Sequence, residues 1–370
     1  MTTRRTVLKA TLAAGTASVF SGVFGGLSAF ASAPPLPKRK TLHDMPLDDP
    51  DLSAYRDFVG LMLAKDQNNP VSWLQYSLMH GRYGGGYRYC PHGDWYFLPW
   101  HREFMLMYER AVRVLTNTPQ FAMPYWDWSV DRTMPQAFTD PTYQGKPNPL
   151  YVEGRTLSGP NWPLPDAWVA PEVLKQRVYA ETNFQLFGTS RNPAQNNLDM
   201  SWVVRGGGYQ GFLEGTPHNQ IHNSIGKYMP SAGSPRDPIF MMHHGNIDRI
   251  WATWNALGRS NTGDMTPSDR NLWLNIYFKD NYLTPTGTTY GAYPRDLENI
   301  NALGYTYVVL PTQPDGLLAG PERDARLLSV LSAISASQTD DTELFTLPGA
   351  NLEAATLRRP LVKRVRLAPV

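Results

Sequence analysis

Seven of the eight histidines in this 370-residue chain fall into two groups with the spacing of metal ligands. Histidine is the commonest metal ligand in proteins, and its neutral imidazole binds a metal through either ring nitrogen. Three imidazoles from each group would hold one metal ion, so the chain has the ligands for two. The first group is His80, His92 and His101, and the second is His218, His222, His243 and His244.

The second group contains one pair at helical spacing and one adjacent pair. His218 and His222 are four residues apart, which places both rings on one face of a helix, although such a pair alone is more often two surface histidines. His243 and His244 point about 100° apart on a helix, so only one of them can readily join the same metal. Asp248 lies four residues after His244 and shares its helical face, which mildly favours His244 as the ligand.

The first group cannot come from a single helix. His92 and His101 are nine residues apart and would face opposite sides of one. Pro99 suits the first turn of a helix, so we expect His101 to open a helix and His92 to lie on the preceding loop. His80 would then come from the end of an earlier helix. Taken alone, His80 and His92 fit equally well as histidines of a surface loop.

The types of residue in the two groups favour copper. The chain has one cysteine, Cys90, which excludes a disulfide within the chain and a thiolate-rich metal site. Structural zinc favours cysteine, and di-iron bundles use mostly carboxylates, but neither histidine group has an obvious acidic ligand at helical spacing. Sites made only of imidazole suit copper and, less exclusively, zinc.

The elements that position these histidines are predicted to be mainly helical. Apolar residues recur at a spacing of three to four between Asp51 and His80, with an interruption at Asn69-Pro70. Residues 130–180, rich in Pro, Gly, Asn and Asp, would form a long surface excursion. We therefore predict a mainly α fold, a helical bundle around the metal pair with long irregular loops. The other predicted helices cover residues 71–79, 100–115, 216–227 and 239–257.

The charge balance excludes some classes of partner. The chain has 34 basic and 32 acidic residues, a net charge of +2, which gives no reason to expect nucleic acid or an anionic membrane. Beyond the N-terminal segment, no stretch reaches the roughly 18 uninterrupted apolar residues that span a bilayer. We expect no stable membrane insertion once that segment is removed.

Around the histidines, the sequence resembles the type 3 copper proteins, the family of tyrosinases, catechol oxidases or polyphenol oxidases, and haemocyanins. The first copper motif is resembled by residues 97–104 (FLPWHREF) and 123–129 (MPYWDWS). The second copper motif is resembled by residues 217–222 (PHNQIH) and 237–251 (DPIFMMHHGNIDRIW). Residues 304–307 (GYTY) are similar to the tyrosine motif that closes the catalytic domain of tyrosinases. The motifs are long and occur in the family's order, and the resemblance covers roughly residues 40–307.

The resemblance implies two copper ions as cofactors, and phenolic substrates with O2 as partners. It implies the tyrosinase reaction, which converts phenols to o-diphenols and o-diphenols to o-quinones. His243 would not bind copper; it would either contact the copper ligands or face the substrate. By the resemblance, the ligands of copper A are His80, His92 and His101, and those of copper B are His218, His222 and His244.

Other functions remain open at this point. A catechol or o-aminophenol oxidase without monophenol hydroxylase activity would differ from a tyrosinase only in fine geometry. A dioxygen carrier like haemocyanin would use the same six ligands with the site closed to phenols. A hydrolytic or non-catalytic zinc site is a further alternative, and the identity of the bound metal would separate it.

Three further roles follow from the resemblance. In the family, a glutamate and an asparagine placed like Glu214 and Asn219 hold a water that deprotonates the phenol. The alternative is that Glu214 only caps the start of the helix. Cys90 has the Cys-x-His spacing of the fungal members, in which the cysteine forms a thioether to the histidine matching His92; the alternative is a free buried cysteine. Residues 231–234 (SAGS) match the family's gate loop over copper B, and their small side chains indicate an open entrance.

The two ends of the chain are predicted to lie outside the catalytic domain. Arg4 and Arg5 precede a mildly apolar stretch, as in a twin-arginine export signal, with an ordinary secretory signal or an uncleaved anchor as the alternatives. We predict a signal peptide over residues 1–33, the tyrosinase-like catalytic domain over 34–307 and a short C-terminal extension over 308–370. The protein would be exported, to the periplasm or the medium.

The C-terminal extension of about 60 residues departs from the pattern of the family's larger members. Larger members have a C-terminal domain that plugs the site with a side chain, and this extension is too short for such a domain. Phe345 is its only aromatic residue after Tyr307 and so the only aromatic plug available. The sequence leaves open the natural phenol, the oligomeric state and whether a separate chaperone loads the copper.

Overall fold

Helices dominate the described part of the chain. The computed structural model describes residues 35–156, 163–192, 198 and 209–310. The predicted mainly α class is confirmed. Within the described residues, the α-helices are Pro50–Leu63 (α1), Trp73–Leu78 (α2), Phe97–Leu115 (α3), Asp166–Val169 (α4), Pro171–Val173 (α5), Phe184–Phe187 (α6), Asn219–Ile225 (α7), Ile239–Ala256 (α8) and Pro267–Asn275 (α9).

Two-residue strands and short helical turns connect these helices. The strands are Lys38–Arg39 (β1), Thr142–Tyr143 (β2), Lys146–Pro147 (β3), Tyr282–Leu283 (β4), Thr289–Tyr290 (β5) and Thr306–Tyr307 (β6). β1 pairs in parallel with β6, whereas β2–β3 and β4–β5 are antiparallel pairs. Tighter 3₁₀ turns occur at Leu42–Asp44, Gln136–Phe138, Ser234–Arg236 and Pro294–Asp296, and wider π turns at Leu174–Tyr179 and Glu214–His218.

The two longest helices, α3 and α8, pack against each other at the centre of the fold. Every residue of α3 from Phe97 to Glu109 is buried, and so is every residue of α8 from Ile239 to Trp254. A helix buried on all sides lies inside the protein rather than on its surface. Any polar side chain on these two helices therefore needs a partner within the protein.

Local sequence signals explain where the first two helices begin. The carboxylate of Asp49 accepts a hydrogen bond from the backbone N–H of Asp51, and Pro50 occupies the first helical position of α1. The Ser72 side chain accepts from the backbone N–H of Gln75 and so caps α2. The predicted helix 71–79 is therefore found, with slightly tighter bounds.

The predicted helix 216–227 is shorter than expected, because its first part does not continue regularly into α7. Thr216 has an extended backbone, with φ −155° and ψ 120°, inside the π turn Glu214–His218. Within the excursion predicted over residues 130–180, the chain forms α4, α5 and the π turn Leu174–Tyr179. That excursion is therefore only partly irregular.

A buried polar network ties the two ends of the domain to α3 and α8. The Arg39 guanidinium of β1 donates to Glu109 Oε2 at 2.5 Å and to Asp248 Oδ2 at 3.0 Å. Asp248 Oδ1 accepts from Arg102 Nε at 2.5 Å, and Asp248 Oδ2 accepts from the Tyr307 hydroxyl at 2.5 Å. Because each buried charge has an oppositely charged partner, its desolvation cost is offset. The network fixes β1 and β6 against the central helices.

Most of the predicted end segments lie outside the described residues. The chain divides at the Pro35–Leu36 boundary, and apart from Pro35 everything described belongs to the C-terminal unit. The predicted signal peptide, residues 1–33, and the aromatic plug Phe345 are not among the described residues. No helix in the described ranges is both long enough and apolar enough to cross a membrane.

Candidate metal centre

The histidines of the first group come from three different elements and meet at one point. His80 follows the end of α2, His92 lies on the loop before α3, and His101 is in the first turns of α3. The Nε2 atoms of His80 and His92 are 3.3 Å apart, and His101 Nε2 lies 3.2 Å from Cys90 Sγ. Each of the four residues offers a ligand atom within 4.8 Å of the others. One metal ion would fit among them.

The second group meets in the same way around His244. The Nε2 atom of His244 lies 3.3 Å from that of His218 and 3.2 Å from that of His222. His218 immediately precedes α7, His222 lies within it, and His244 lies on α8. The i, i+4 spacing thus brings two rings to one point, as the sequence predicts, and the third comes from another helix.

The opposite ring nitrogen of three of these histidines donates to a backbone carbonyl. The Nδ1 atom of His80 bonds the Ala232 carbonyl at 2.6 Å, that of His101 the Phe97 carbonyl at 2.7 Å, and that of His222 the Met229 carbonyl at 2.7 Å. A carbonyl only accepts, so Nδ1 must carry the proton and Nε2 keeps its lone pair free. Such outer contacts fix both the tautomer and the ring orientation of metal-binding histidines.

Two other histidines use side chains for the same purpose. His92 Nδ1 lies 3.3 Å from Glu214 Oε1, and His218 Nδ1 lies 3.0 Å from Asn219 Oδ1. Glu214 is fully buried, and it also accepts from the Gly93 backbone N–H at 2.9 Å and from the Thr189 hydroxyl.

Glu214 and Asn219 therefore both lie beside the histidines, as predicted. Neither caps a helix, because no side-chain cap occurs at Glu214–His218 or at α7. Asn219 also donates to Gln210 Oε1 at 2.8 Å, which fixes the direction of its amide.

Burial keeps these imidazoles neutral. The pKa of His222 is lowered to about 3, mainly by desolvation and also by the neighbouring His92, against the hydrogen bond to the Met229 carbonyl, which raises it. Four other histidines of the two groups have pKa values well below the usual 6.5. Burial is the main reason, and the neighbouring imidazoles add to the effect. Only neutral imidazole binds a metal, so the environment favours the binding form. These four are His80, His101, His218 and His244.

The two groups face each other across a short gap. The rings of His101 and His244 stack with centroids 4.4 Å apart and planes 13° apart, and the rings of His92 and His218 have centroids 5.6 Å apart. Phe240, one turn before His244, stacks on the His244 ring at 4.1 Å. Phe240 thus packs directly on a histidine of the second group.

The adjacent pair on α8 separates into two environments. His243 is buried, its ring stacks near His218 at 5.3 Å, and neither of its nitrogens has a hydrogen-bond partner among the described residues. Its neighbour His244 is the residue whose Nε2 meets those of His218 and His222. His243 also has a ring nitrogen within 4.8 Å of the ligand atoms of the other three histidines, so it is the shorter Nε2 distances that favour His244 as the third ligand.

Two residues expected near the histidines have different contacts from those expected. The carboxylate of Asp248 bonds Arg39, Arg102 and the tyrosines of the 304–307 motif rather than His244. The Cys90 thiol, whose pKa is raised by burial, contacts His101 Nε2. A thioether between Cys90 and His92 stays a prediction.

A narrow cavity of about 20 Å³ leads to the histidines. One side is formed by the gate loop, residues 231–234, together with Met229 and Pro230, and another by Asn219 and Asn223 of α7. Tyr87 completes the wall on the side of His80 and His92. The gate loop has small side chains, as predicted, and the Ala232 carbonyl binds His80.

The family model for the common central domain of tyrosinase matches residues 55–257, more than half of the chain. The chain belongs to the tyrosinase family. The matched segment contains all six predicted copper ligands and both central helices.

Individual relatives within the tyrosinase family are only moderately similar. Tyrosinase HcTyr1 of Hahella sp. (strain CCB-MM4) is 28% identical over 329 residues, covering 79% of this chain and 67% of that protein. The chloroplastic (+)-larreatricin hydroxylase of Larrea tridentata is 31% identical over 312 residues, covering 70% of this chain and 47% of that protein. The chain spans about half the length of the plant relatives.

Solved structures of tyrosinase-family proteins share the fold. Latent apple tyrosinase superimposes with a TM-score of 0.62 at 26% identity, covering 79% of this chain and 67% of that one. The polyphenol oxidase of Grenache grape (Vitis vinifera) gives a TM-score of 0.60 at 25% identity, covering 75% of this chain and 86% of that one.

Sequence reasoning missed the groups that orient the histidines. The carbonyls of Phe97, Met229 and Ala232 carry no signal in the residue type, since every residue has one. Tyr87 was also missed, because a tyrosine in a glycine-rich loop has no distinguishing spacing. Only the side-chain partners Glu214 and Asn219 were found, through the family motif.

Proposed function

We propose that this tyrosinase-family chain hydroxylates monophenols to o-diphenols and oxidises o-diphenols to o-quinones, using O2 and two copper ions. The observation that carries the proposal is the pairing of two buried histidine trios, whose rings stack at 4.4 Å through His101 and His244. Two neutral trios at this separation would place two metal ions close enough to act on one O2 molecule. Copper is the expected metal because both trios are made of imidazole.

The residues that would hold the copper ions fit them in three respects. Their Nε2 atoms converge, five of the six have a partner at Nδ1, and no carboxylate enters either trio. Copper ions bound there would supply the electron transfer between phenol and O2. The ligand set for copper A is His80, His92 and His101, and that for copper B is His218, His222 and His244.

The remaining chemistry belongs to the protein. Asn219 lines the cavity and holds the His218 ring, so it is placed to meet the hydroxyl of an entering phenol. The carboxylate of Glu214 contacts the histidine cluster through His92. We propose that Glu214 accepts the phenol proton through a water that it holds together with Asn219. Phe97 and Phe240 pack against the rings and exclude bulk water.

One observation favours a second candidate, an oxidase of catechols or o-aminophenols without monophenol hydroxylation. Glu214 already accepts from Gly93, Thr189 and His92, and it is not among the residues that line the cavity. A carboxylate so occupied orients His92 well but is less available as a base. The two candidates share all six copper ligands and differ in the role of Glu214.

An oxygen-consumption assay on the copper-loaded full chain tests the proposal, comparing tyramine with dopamine. Turnover of both supports tyrosinase activity, and turnover of dopamine alone supports the second candidate. Turnover of neither, by protein that atomic absorption shows to hold two copper ions per chain, contradicts both. His43→Gln is the matched control for histidine variants, because His43 is exposed and belongs to neither group.

We also propose that the chain is exported through the twin-arginine route with residues 1–33 as the signal. This route carries folded proteins, so copper would be bound before export, with or without a separate chaperone. Replacing Arg4 and Arg5 by lysine should retain the protein in the cytoplasm, with Lys9→Arg as the control. Export of the double variant at the wild-type level would contradict the proposal.

A further inference from the structure

Tyr87 occupies a position that neither the six ligands nor the family motifs explain. Its ring stacks on the His92 ring, with centroids 4.6 Å apart and planes 24° apart, and it meets the His80 ring edge-on at 5.4 Å. The residue is half-buried and lines the cavity that leads to the histidines. Among the described residues that line it, Tyr87 is the only aromatic one other than the histidines themselves.

The loop that carries Tyr87 is fixed to the metal centre. Gly81 and Tyr87 form an antiparallel bridge, and the Arg88 backbone N–H donates to the His80 carbonyl at 2.8 Å. The backbone on both sides of the tyrosine is thus tied to the residue that holds copper A. The ring therefore has a defined place over the two histidines.

His92, on which Tyr87 stacks, is the only one of the six ligands that is not buried. Apart from Tyr87 and the histidines, the described lining consists of residues without an aromatic ring: Asn219, Asn223, Met229, Pro230, Ser231 and Ser234. An entering aromatic ring therefore meets one flat aromatic surface, that of Tyr87, on the copper A side. Aromatic pairs of this kind add about 0.5–1.5 kcal/mol beyond the burial of area.

The size of the cavity makes this wall selective. At about 20 Å³, it has room for about one water molecule. A phenol ring can reach the histidines only if the wall shifts or the ring slides along it. A substituent next to the reacting hydroxyl would collide with the Tyr87 wall, whereas a substituent opposite that hydroxyl would point towards the opening.

We propose that Tyr87 is a specificity-determining residue, an aromatic wall that selects phenols and catechols unsubstituted beside the reacting hydroxyl. This inference rests on the proposed phenol oxidase function. It adds the residue that would distinguish rings substituted opposite the hydroxyl from rings substituted next to it.

The test compares 4-methylcatechol with 3-methylcatechol on copper-loaded protein. The wild type should prefer 4-methylcatechol in kcat/KM. Tyr87→Ala should raise KM for 4-methylcatechol about five-fold, through loss of the stacking surface. It should also reduce the preference for 4-methylcatechol by about ten-fold, the discrimination that one methyl group supports. Tyr87→Phe keeps the ring and should behave as the wild type.

Tyr89 provides the matched control, because it lies in the same loop, is also partly buried and does not line the cavity. Tyr89→Ala should leave KM and the preference unchanged. Copper content is measured for every variant, since a merely structural role of Tyr87 would lower copper retention instead. Binding of benzoate, an unreactive ring, is measured by competition and should weaken only in Tyr87→Ala.

Two outcomes overturn the inference. One is a Tyr87→Ala protein with full copper, wild-type KM and wild-type preference. The other is a variant whose activity falls in proportion to lost copper while KM, preference and benzoate binding stay unchanged. A wild type that turns over no catechol would instead contradict the proposed function, so the two failures can be told apart.

Discussion

His101 of α3 and His244 of α8 stack face to face, with ring centroids 4.4 Å apart and planes 13° apart. One ring belongs to each histidine group, so the packing of α3 against α8 sets the separation of the two metal positions. Both helices are buried along most of their length, which leaves them little freedom to move apart. The spacing of the two candidate metal positions is therefore a property of the core.

The adjacent histidines of α8 give a direct test of the ligand set. His244→Gln should remove one of the three copper B ligands and lower the copper content from two ions per chain towards one. His243→Gln is the matched variant at the adjacent position and should keep both ions, because the 3.2–3.3 Å contacts with His218 and His222 Nε2 are made by His244, although a His243 nitrogen also lies within 4.8 Å of the group. Atomic absorption after dialysis against a weak chelator measures the result. Equal copper loss in both variants would contradict the assignment of His244.

Glu214→Gln separates the role of a base from that of a support for His92. An amide oxygen in the Oε1 position still accepts from Gly93 and faces His92, and the amide nitrogen in the Oε2 position can donate to the Thr189 hydroxyl, but the group no longer takes a proton. Loss of a general base typically costs about 100-fold or more, so monophenol hydroxylation should fall by at least that factor. Catechol oxidation should fall much less.

Thr189→Val is the companion variant for Glu214, since it removes one hydrogen bond to the carboxylate and leaves the charge. It should affect both reactions by a similar, small factor. The ratio of initial rates on tyramine and dopamine is the quantity to measure. If Glu214→Gln lowers both rates equally, the carboxylate acts only through the orientation of His92.

The sequence predicts the ligands better than it predicts what surrounds them. The spacing of His218 and His222, and the helix start near Pro99, placed the rings correctly because helical periodicity is a local property. The bundle of helices followed from apolar periodicity in the same way. The partners of Asp248 were not found from the sequence, however, because its carboxylate bonds Arg39 and Arg102. Those partners are 209 and 146 residues away, beyond the reach of local patterns.

Asp248→Asn should destabilise the domain in a way that depends on pH. Burial raises the pKa of Asp248, but Arg102 and Arg39 more than offset this, so its pKa lies below the usual value. Above pH about 4 the ionised carboxylate therefore stabilises the folded state, and this contribution is lost as pH falls further. Breaking a buried ion pair costs about 3–5 kcal/mol at neutral pH.

Urea unfolding of both proteins between pH 7 and pH 3 measures the effect of Asp248→Asn. The difference in unfolding free energy between wild type and variant should shrink towards the acid end of that range. Asp166→Asn is the control, because its pair with Arg132 is exposed and such pairs contribute at most about 1 kcal/mol. A difference that stays constant with pH would mean that the charge of Asp248 does not contribute.

Gly245 marks the closest approach of the loop after α3 to α8. A Cβ atom at this position would lie 2.9 Å from Tyr125 Cβ and 3.2 Å from the Pro124 carbonyl oxygen. The loop cannot yield easily, because the Trp126 backbone N–H donates to the Met242 carbonyl at 2.9 Å. Gly245→Ala should therefore destabilise the protein by about 1–3 kcal/mol despite the better helix propensity of alanine.

Gly60 of α1 is the matched control for Gly245, because it is also a glycine inside a helix. A Cβ atom added at Gly60 would meet only Pro149, at 3.7 Å, which is an ordinary contact distance. Gly60→Ala should stabilise the protein by about 0.5–1 kcal/mol, since alanine loses less backbone freedom on folding. Urea unfolding with an unchanged m-value would confirm that both effects act on the folded domain.

The shift of α8 that Gly245→Ala requires should also displace His244 from His101 and lower copper content, whereas Gly60→Ala should leave it unchanged. Opposite signs in stability with equal copper content would mean that the core absorbs the added methyl group without moving the metal pair.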